Sequence, residues 1–175
     1  MKKLTTNNLT SIALMSAVTA ICSWLTVPFT VPFTLQTFAV FFALEYLGGR
    51  KGTLSILLYI LLGAVGLPVF SGFAGGIGHL AGPTGGYIIG FIASGIIFCL
   101  GEKLAEKNRL LHYALQAICL FACYALGTLR FCHVTGTGFG AALGICVLPF
   151  IIPDVMKIAL ADIVAKRVSL QRVSK

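Results

Sequence analysis

Asp154 and Lys157 stand three residues apart in a stretch from 139 to 160 that carries no other charge. At that spacing both side chains share one face of a helix. A carboxylate accepts N–H donors and an ammonium holds a carboxylate, so together they suit a small solute with both kinds of group. An internal ion pair that merely neutralises itself is an equally good reading of the spacing. Gln36 offers two amide donors and a carbonyl acceptor, or caps the helix that begins beside it. Tyr87 and Tyr124 join apolar rings to hydroxyls, which fits a largely apolar pocket with few polar contacts and equally an interface belt. Thr34 and Gly76, in two uncharged joints described below, are further candidate contacts for the same solute.

Other chemistries find little support in the residue pattern. The six cysteines form no CxxC, and the three histidines, His79, His112 and His133, are scattered, so no metal site is expected. Cys119 and Cys123 share a helix face but read as small packing residues. GPTGGY at 82–87 lacks the GxxxxGK[ST] of a phosphate loop, so the chain has no means of using ATP. No nucleophile with a neighbouring base is evident, which argues against an enzyme. No bound cofactor is implied.

These residues must be positioned in lipid. Of 175 residues, 58% are hydrophobic and 10% charged, with a mean hydropathy of +0.97, against about 25% charged in an average soluble domain. Apolar stretches cover roughly 9–27, 35–48, 52–68, 84–101, 110–131 and a broken 139–168. Everything after the first stretch is as apolar as it is, so that stretch reads as a retained helix rather than a cleaved signal. Charged joints alternate with uncharged ones. Arg50 and Lys51, the group from Glu102 to Arg109, and both termini carry every Lys and Arg except Arg130 and Lys157. The positive-inside bias puts those on the cytoplasmic side. The fold class is therefore all-α integral membrane: one domain over 1–175, a six-helix transmembrane bundle with cytoplasmic N and C termini. The net charge of +8 reads as a topology signal and not as nucleic-acid binding. Glu45 and Asp162 fall near the cytoplasmic rim, where pairing with basic neighbours is expected, and Arg130, at the outer end of the fifth helix, is placed to snorkel to headgroups.

The joints 28–34, 69–83 and 132–138 contain no Lys, Arg, Asp or Glu. The helix after the first of them is about 20 Å long, short of a hydrocarbon core of roughly 30 Å. The preceding tandem repeat, Val27 to Thr34, then lies at membrane depth, where its prolines 28 and 32 exclude regular helix and its backbone must line a cavity or be buried. The glycine-rich 69–83 repeats the argument, making both joints walls or lids of a pocket. In the last stretch, proline is best tolerated in a first turn, which starts the sixth helix near Pro153 and leaves 135–148 as a short helical piece. Ala13 and Ala17, with Ala20 a turn on, make a small-residue face for close helix approach, either within the bundle or to a partner.

PFTLQTFAVFFA at 32–43, LSILLYILLGAVGLPVFSG at 54–72, GPTGGY at 82–87 and PFIIPDVMK at 149–157 together resemble the biotin-specific substrate-binding (S) subunit of energy-coupling factor (ECF) transporters, the BioY family. The resemblance covers nearly the whole chain in the family's order. It implies a six-helix plasma-membrane protein that binds biotin from outside and partners a transmembrane coupling subunit and two ATPase subunits. It places substrate contacts on Asp154, Lys157 and Gln36, and a docking face on Ala13 and Ala17. It leaves room for a homo-oligomer when the protein is alone. The family usually reads PGD where this chain reads Pro153-Asp154 preceded by Ile152, so the glycine is missing, and Arg130 and His133 stand where more apolar residues are expected. A stand-alone proton-coupled carrier or channel using Asp154 is the alternative, but no second copy of the Asp/Lys feature supports the internal repeat such carriers often show.

Overall fold

In the computed structural model, which describes residues 5–28 and 30–173 and side chains through Ser169, the chain is a helical bundle. Lys2, Lys3, Phe29 and Lys175, and the side chain of Arg172, lie outside the described residues. The helices are α1 (Thr6–Trp24), α2 (Gln36–Leu47), α3 (Gly49–Ala64), α4 (Ile77–Ala81), α5 (Gly85–Ala105), α6 (Arg109–Thr135), α7 (Phe139–Cys146) and α8 (Leu148–Val173). Between α1 and α2 the proline repeat folds as a two-stranded antiparallel ribbon, β1 (Thr26–Val27) and β2 (Phe33–Thr34), pairing Thr26 with Thr34 and Val27 with Phe33. Among the described residues α5 and α6 are each long and apolar enough to cross a membrane, while α7 and α8 through Ser169, bent by 42°, together make a third such length.

The apolar stretches and the short second helix match the expected pattern, and α7 is the expected short piece. The start of the last helix is a correction. It begins at Leu148, five residues before Pro153, with Pro149 in its first turn and Pro153 inside it. The break falls instead at Val147, with φ −123° and ψ −58°, between α7 and α8. Asp154 is consequently in the second turn, beyond the reach of the helix N-terminal dipole.

Close helix packing depends on missing side chains. A Cβ on Gly90 would lie 2.9 Å from the Cα of Cys123, and one on Gly86 would lie 2.6 Å from the carbonyl oxygen of Leu126, so α5 and α6 meet backbone to backbone. A Cβ on Gly49 would stand 2.4 Å from the Cα of Cys99, which seats the start of α3 on α5. The same corner is tied by Glu102 Oε2, which accepts the Gly49 backbone N–H at 2.5 Å. On α1, Ala13 and Ala17 are exposed beside Leu14 and Ile21, so they do not serve internal packing, whereas Ala20 is buried and does not continue their face.

One end of the bundle collects the charged joints. Lys51 Nζ donates to Asn8 Oδ1 at 3.1 Å, bringing the start of α3 to the start of α1, and Lys166 near the end of α8 pairs with Asp162 at 2.6 Å. The other end is built from the ribbon and the 66–84 segment. Trp24 Nε1 donates to Pro68 O at 2.8 Å and its ring stacks on Phe73 at 5.1 Å, while Ser23 Oγ donates to Val69 O at 2.5 Å. Phe73, at φ +58°, takes the left-handed conformation in this turn.

Replacing Gly49 by Ala should destabilise the chain by about 1–3 kcal/mol through overpacking against α5. Gly144→Ala, where the added Cβ meets open space, should be neutral or stabilising by up to about 1 kcal/mol. Thermal unfolding in detergent checks this, and equal shifts for the two variants would contradict the packing argument.

Candidate functional site

A cleft with about 630 Å³ of empty space, part of it continuous with solvent, opens among α2, α5, α6, α8 and the segments that close the uncharged end. Its lining includes Thr34, Gln36, His79, Tyr87, Tyr124, Asp154 and Lys157. The sequence-expected residues thus converge, with the exception of Gly76, which does not line the cleft. Gly76 turns the chain into α4 at φ +90°, a conformation that favours glycine, and its N–H donates to Gly63 O at 2.7 Å.

Asp154 and Lys157 are 4% and 7% exposed and lie one above the other on α8. The Lys157 ammonium donates to Asp154 Oδ1 at 2.9 Å and to the Thr34 carbonyl at 2.7 Å, and sits 3.8 Å over the ring of Phe33. Asp154 Oδ2 accepts the Tyr124 hydroxyl at 2.7 Å. A buried ion pair is costly unless further hydrogen bonds satisfy each charge, and here the ribbon supplies the lysine's partners while α6 supplies the aspartate's. The register of the ribbon serves this arrangement: Thr34 faces Thr26 while the neighbouring Leu35 N–H donates to Leu25 O, so the Thr34 carbonyl points away from the ladder and is left for Lys157.

Gln36 opens α2 and is 7% exposed. Its backbone N–H donates to Thr34 Oγ1 at 3.2 Å and its Nε2 to Tyr59 OH at 2.9 Å. It therefore both begins the helix and lines the cleft. Tyr59 packs edge-on against Phe70 at 5.6 Å, and Phe70 stacks on His79 at 5.3 Å. Phe70 fits because α3 carries Gly63 beneath it, where a Cβ would fall 2.0 Å from the ring.

The second tyrosine wall has the same construction. The Tyr87 ring lies on Gly127, whose Cβ would meet it at 2.2 Å, and its hydroxyl is 3.4 Å from both Thr128 Oγ1 and Cys146 O. Cys123 lines the cleft with its thiol 3.5 Å from Tyr87 O, and Cys119 donates to Ser94 O at 3.3 Å, so both thiols are turned to backbone carbonyls of α5.

Sequence reasoning missed His79, Tyr59, Thr128 and Phe33. His79 lies on α4 among the residues of the glycine-rich joint. Its Nε2 is buried without a hydrogen-bond partner among the described residues. Nothing in its spacing marks it, since only the folding of 66–84 over the bundle brings it to the cleft. Arg130 does not snorkel freely: its guanidinium donates to the Ala81 carbonyl at the end of α4, tying that short helix to α6. At the far end, His112 is not isolated. It meets Glu45 and Asp162, and Glu45 pairs with His112 and Gln116 in place of the expected basic neighbour.

The arrangement can hold a mostly apolar solute whose polar end offers N–H donors and an acceptor, and it contains no nucleophile–base pair with which to change it. A family model described as "BioY family" matches residues 1–173. The chain is 43% identical over 157 residues, 89% of it and 92% of the relative, to a "Probable biotin transporter BioY" of Pyrococcus horikoshii. It is 41% identical to a "Biotin transporter BioY" of Thermotoga maritima over 82% of this chain and 75% of that one. Among solved structures it is similar to an S-component for biotin from an ECF-type ABC transporter, with a TM-score of 0.85, 26% identity and 95% of each chain covered.

Proposed function

The chain belongs to the BioY family, and on that premise we propose that it is the biotin-binding S subunit of an ECF-type transporter, capturing the vitamin for uptake. The match to the S-component for biotin over 95% of both chains carries this assignment. The chain is a transporter subunit in a membrane and not an enzyme; ATP hydrolysis falls to partner subunits. Those partners are a transmembrane coupling subunit and two ATPase subunits. The membrane is the plasma membrane, crossed six times by one domain with both termini in the cytoplasm. Support for that orientation is the collection of Arg50, Lys51, Lys103, Arg109 and Lys166 around the end away from the cleft, as the positive-inside bias requires. The cleft then faces outside. Helices as short as α2, with 12 residues, suffice because the ribbon and α4, which line the cleft through Thr34 and His79, occupy the remaining depth.

Biotin joins an apolar thioether ring to a ureido group and a valerate carboxylate. In this reading Asp154 accepts a ureido N–H while Lys157 meets the ureido oxygen or the carboxylate. Gln36, Tyr87 and the Thr34 carbonyl side of the ribbon complete the polar contacts, and Phe91, Leu120 and Phe150 of the lining cover the rings. Gly76 contributes through the turn it makes into α4. The pair is already hydrogen-bonded before ligand arrives, so binding exchanges partners at fixed charges with little reorganisation.

Docking on the coupling subunit uses the exposed Ala13 and Ala17 of α1, whose small side chains allow close helix approach. A single S subunit is sufficient for binding, and any homo-oligomer formed alone would have to leave this face for the coupling subunit.

Titration calorimetry with biotin tests the site. Asp154→Asn and Lys157→Ala should each weaken binding by about 2–3 kcal/mol or more, since each strands a buried partner, and unchanged affinity in both would sink the assignment. Trp at Ala13 and Ala17 should leave biotin affinity intact and abolish uptake by cells carrying the whole transporter; normal uptake would exclude this docking face.

A further inference from the structure

At the end of the bundle away from the cleft, three helices bring together side chains that take no part in lining it. Glu45 of α2, His112 of α6 and Asp162 of α8 each present one ligand-type atom, and these atoms all lie within 4.8 Å of one another. Their side chains are 10%, 17% and 6% exposed. His112 Nε2 is 3.4 Å from Glu45 Oε1 and 3.2 Å from Asp162 Oδ1. Gln116, one turn beyond His112, puts its amide nitrogen 2.7 Å from Glu45 Oε1 and 3.2 Å from the same His112 Nε2. Lys166 holds the other oxygen of Asp162 at 2.6 Å, which leaves Oδ1 turned to the histidine.

Hydrogen bonding alone accounts poorly for this arrangement. If Nε2 is unprotonated, its lone pair faces two carboxylate oxygens. If it is protonated, a single N–H is shared between oxygens at distances longer than the roughly 2.7–2.9 Å of a charge-assisted bond, and it also faces the Gln116 amide donor. A cation among the three removes both conflicts. Ligand atoms bonded to one tetrahedral ion at about 2.0–2.2 Å stand roughly 3.3–3.6 Å apart, close to the two separations from Nε2. Turning the Gln116 amide about its Cγ–Cδ bond presents its carbonyl oxygen as a fourth donor. With Lys166 counted, two carboxylates leave one net negative charge for the ion to offset. Imidazole with oxygen donors suits a first-row divalent ion rather than calcium or magnesium. Cys119 lies further along α6, but its thiol is turned to Ser94 O and is outside the set.

We propose that Glu45, His112 and Asp162, with Gln116, bind one divalent transition-metal ion of the zinc type, fastening α2, α6 and α8 together at the end opposite the biotin cleft. The site is independent of the transport reading. Its occupation joins α6, which otherwise packs chiefly on α5, to the α2–α8 pair.

The test uses the full chain purified in detergent, stripped with a chelator and titrated with Zn²⁺ against a chromogenic competitor, with bound metal counted by mass spectrometry. One Zn²⁺ per chain is expected, and His112→Ala and Glu45→Gln should each weaken it on the order of 10- to 100-fold while remaining monodisperse by size exclusion. No retained zinc in the unmodified chain, or unchanged affinity in His112→Ala, overturns the proposal. Co²⁺ loaded into the unmodified chain decides the donors without any variant. Ligand-field bands without a thiolate charge-transfer band are expected, and such a band would assign the ion to cysteine and overturn the site.

Discussion

The buried pair of Asp154 and Lys157 is the constraint around which the cleft is organised. Two charges removed from water in a low-dielectric interior gain too little from each other to offset their desolvation, so each needs additional partners at close range. Lys157 finds them in the ribbon, in the Thr34 carbonyl and the Phe33 ring. Asp154 finds its partner in the hydroxyl of Tyr124 on α6. The pair therefore draws two separate parts of the chain, the ribbon and α6, to one point on α8. The polar end of the pocket and the attachment of the outer ribbon are one structure.

A second constraint comes from lipid. Where the surrounding solvent is as apolar as the core, burial of apolar side chains does little to hold helices together, and close van der Waals packing takes its place. The contacts of Gly86 and Gly90 with α6, of Gly49 with α5, and of Gly63 and Gly127 with aromatic rings follow from this. At Gly127 the absent Cβ also seats Tyr87 in the cleft wall, and at Gly63 it seats Phe70, on which the cleft-lining His79 stacks. The packing that stabilises the bundle is thus the packing that positions Phe70 and Tyr87. Polar groups concentrate at its two ends: the cleft at one, and Glu45, His112 and Asp162 at the other.

Much of this was legible in the residues themselves. The number and limits of the apolar stretches, the brevity of α2, the failure of the VPFT repeat to form helix and the short piece before α8 all follow from local rules about proline, length and hydropathy. The beginning of α8 was misread, because a proline can occupy either a first turn or a bend, and with Pro149 and Pro153 both present the local rule chose the wrong one. The small-residue face of α1 was half legible, with Ala13 and Ala17 outward and Ala20 inward, since four-residue spacing cannot distinguish lipid from protein. His79 carried no signal because it reaches the cleft through a segment whose path depends on distant contacts, and Tyr59 and Phe33 matter only through the lining residues they support, Gln36 and Lys157.

The amino-acid sequence by itself determined what each helix carries and on which face: Asp154 and Lys157 align because a helix turns every 3.6 residues, and the basic residues divide by joint because charge cannot rest in hydrocarbon. Those are consequences of near neighbours and of the solvent. The partners were decided only by tertiary structure. Thr34 meets Lys157 across 123 residues of chain, Glu102 meets Gly49 across 53 and His112 meets Asp162 across 50. Such meetings depend on how closely whole helices approach, and that is set by glycines and rings whose fit no spacing rule expresses.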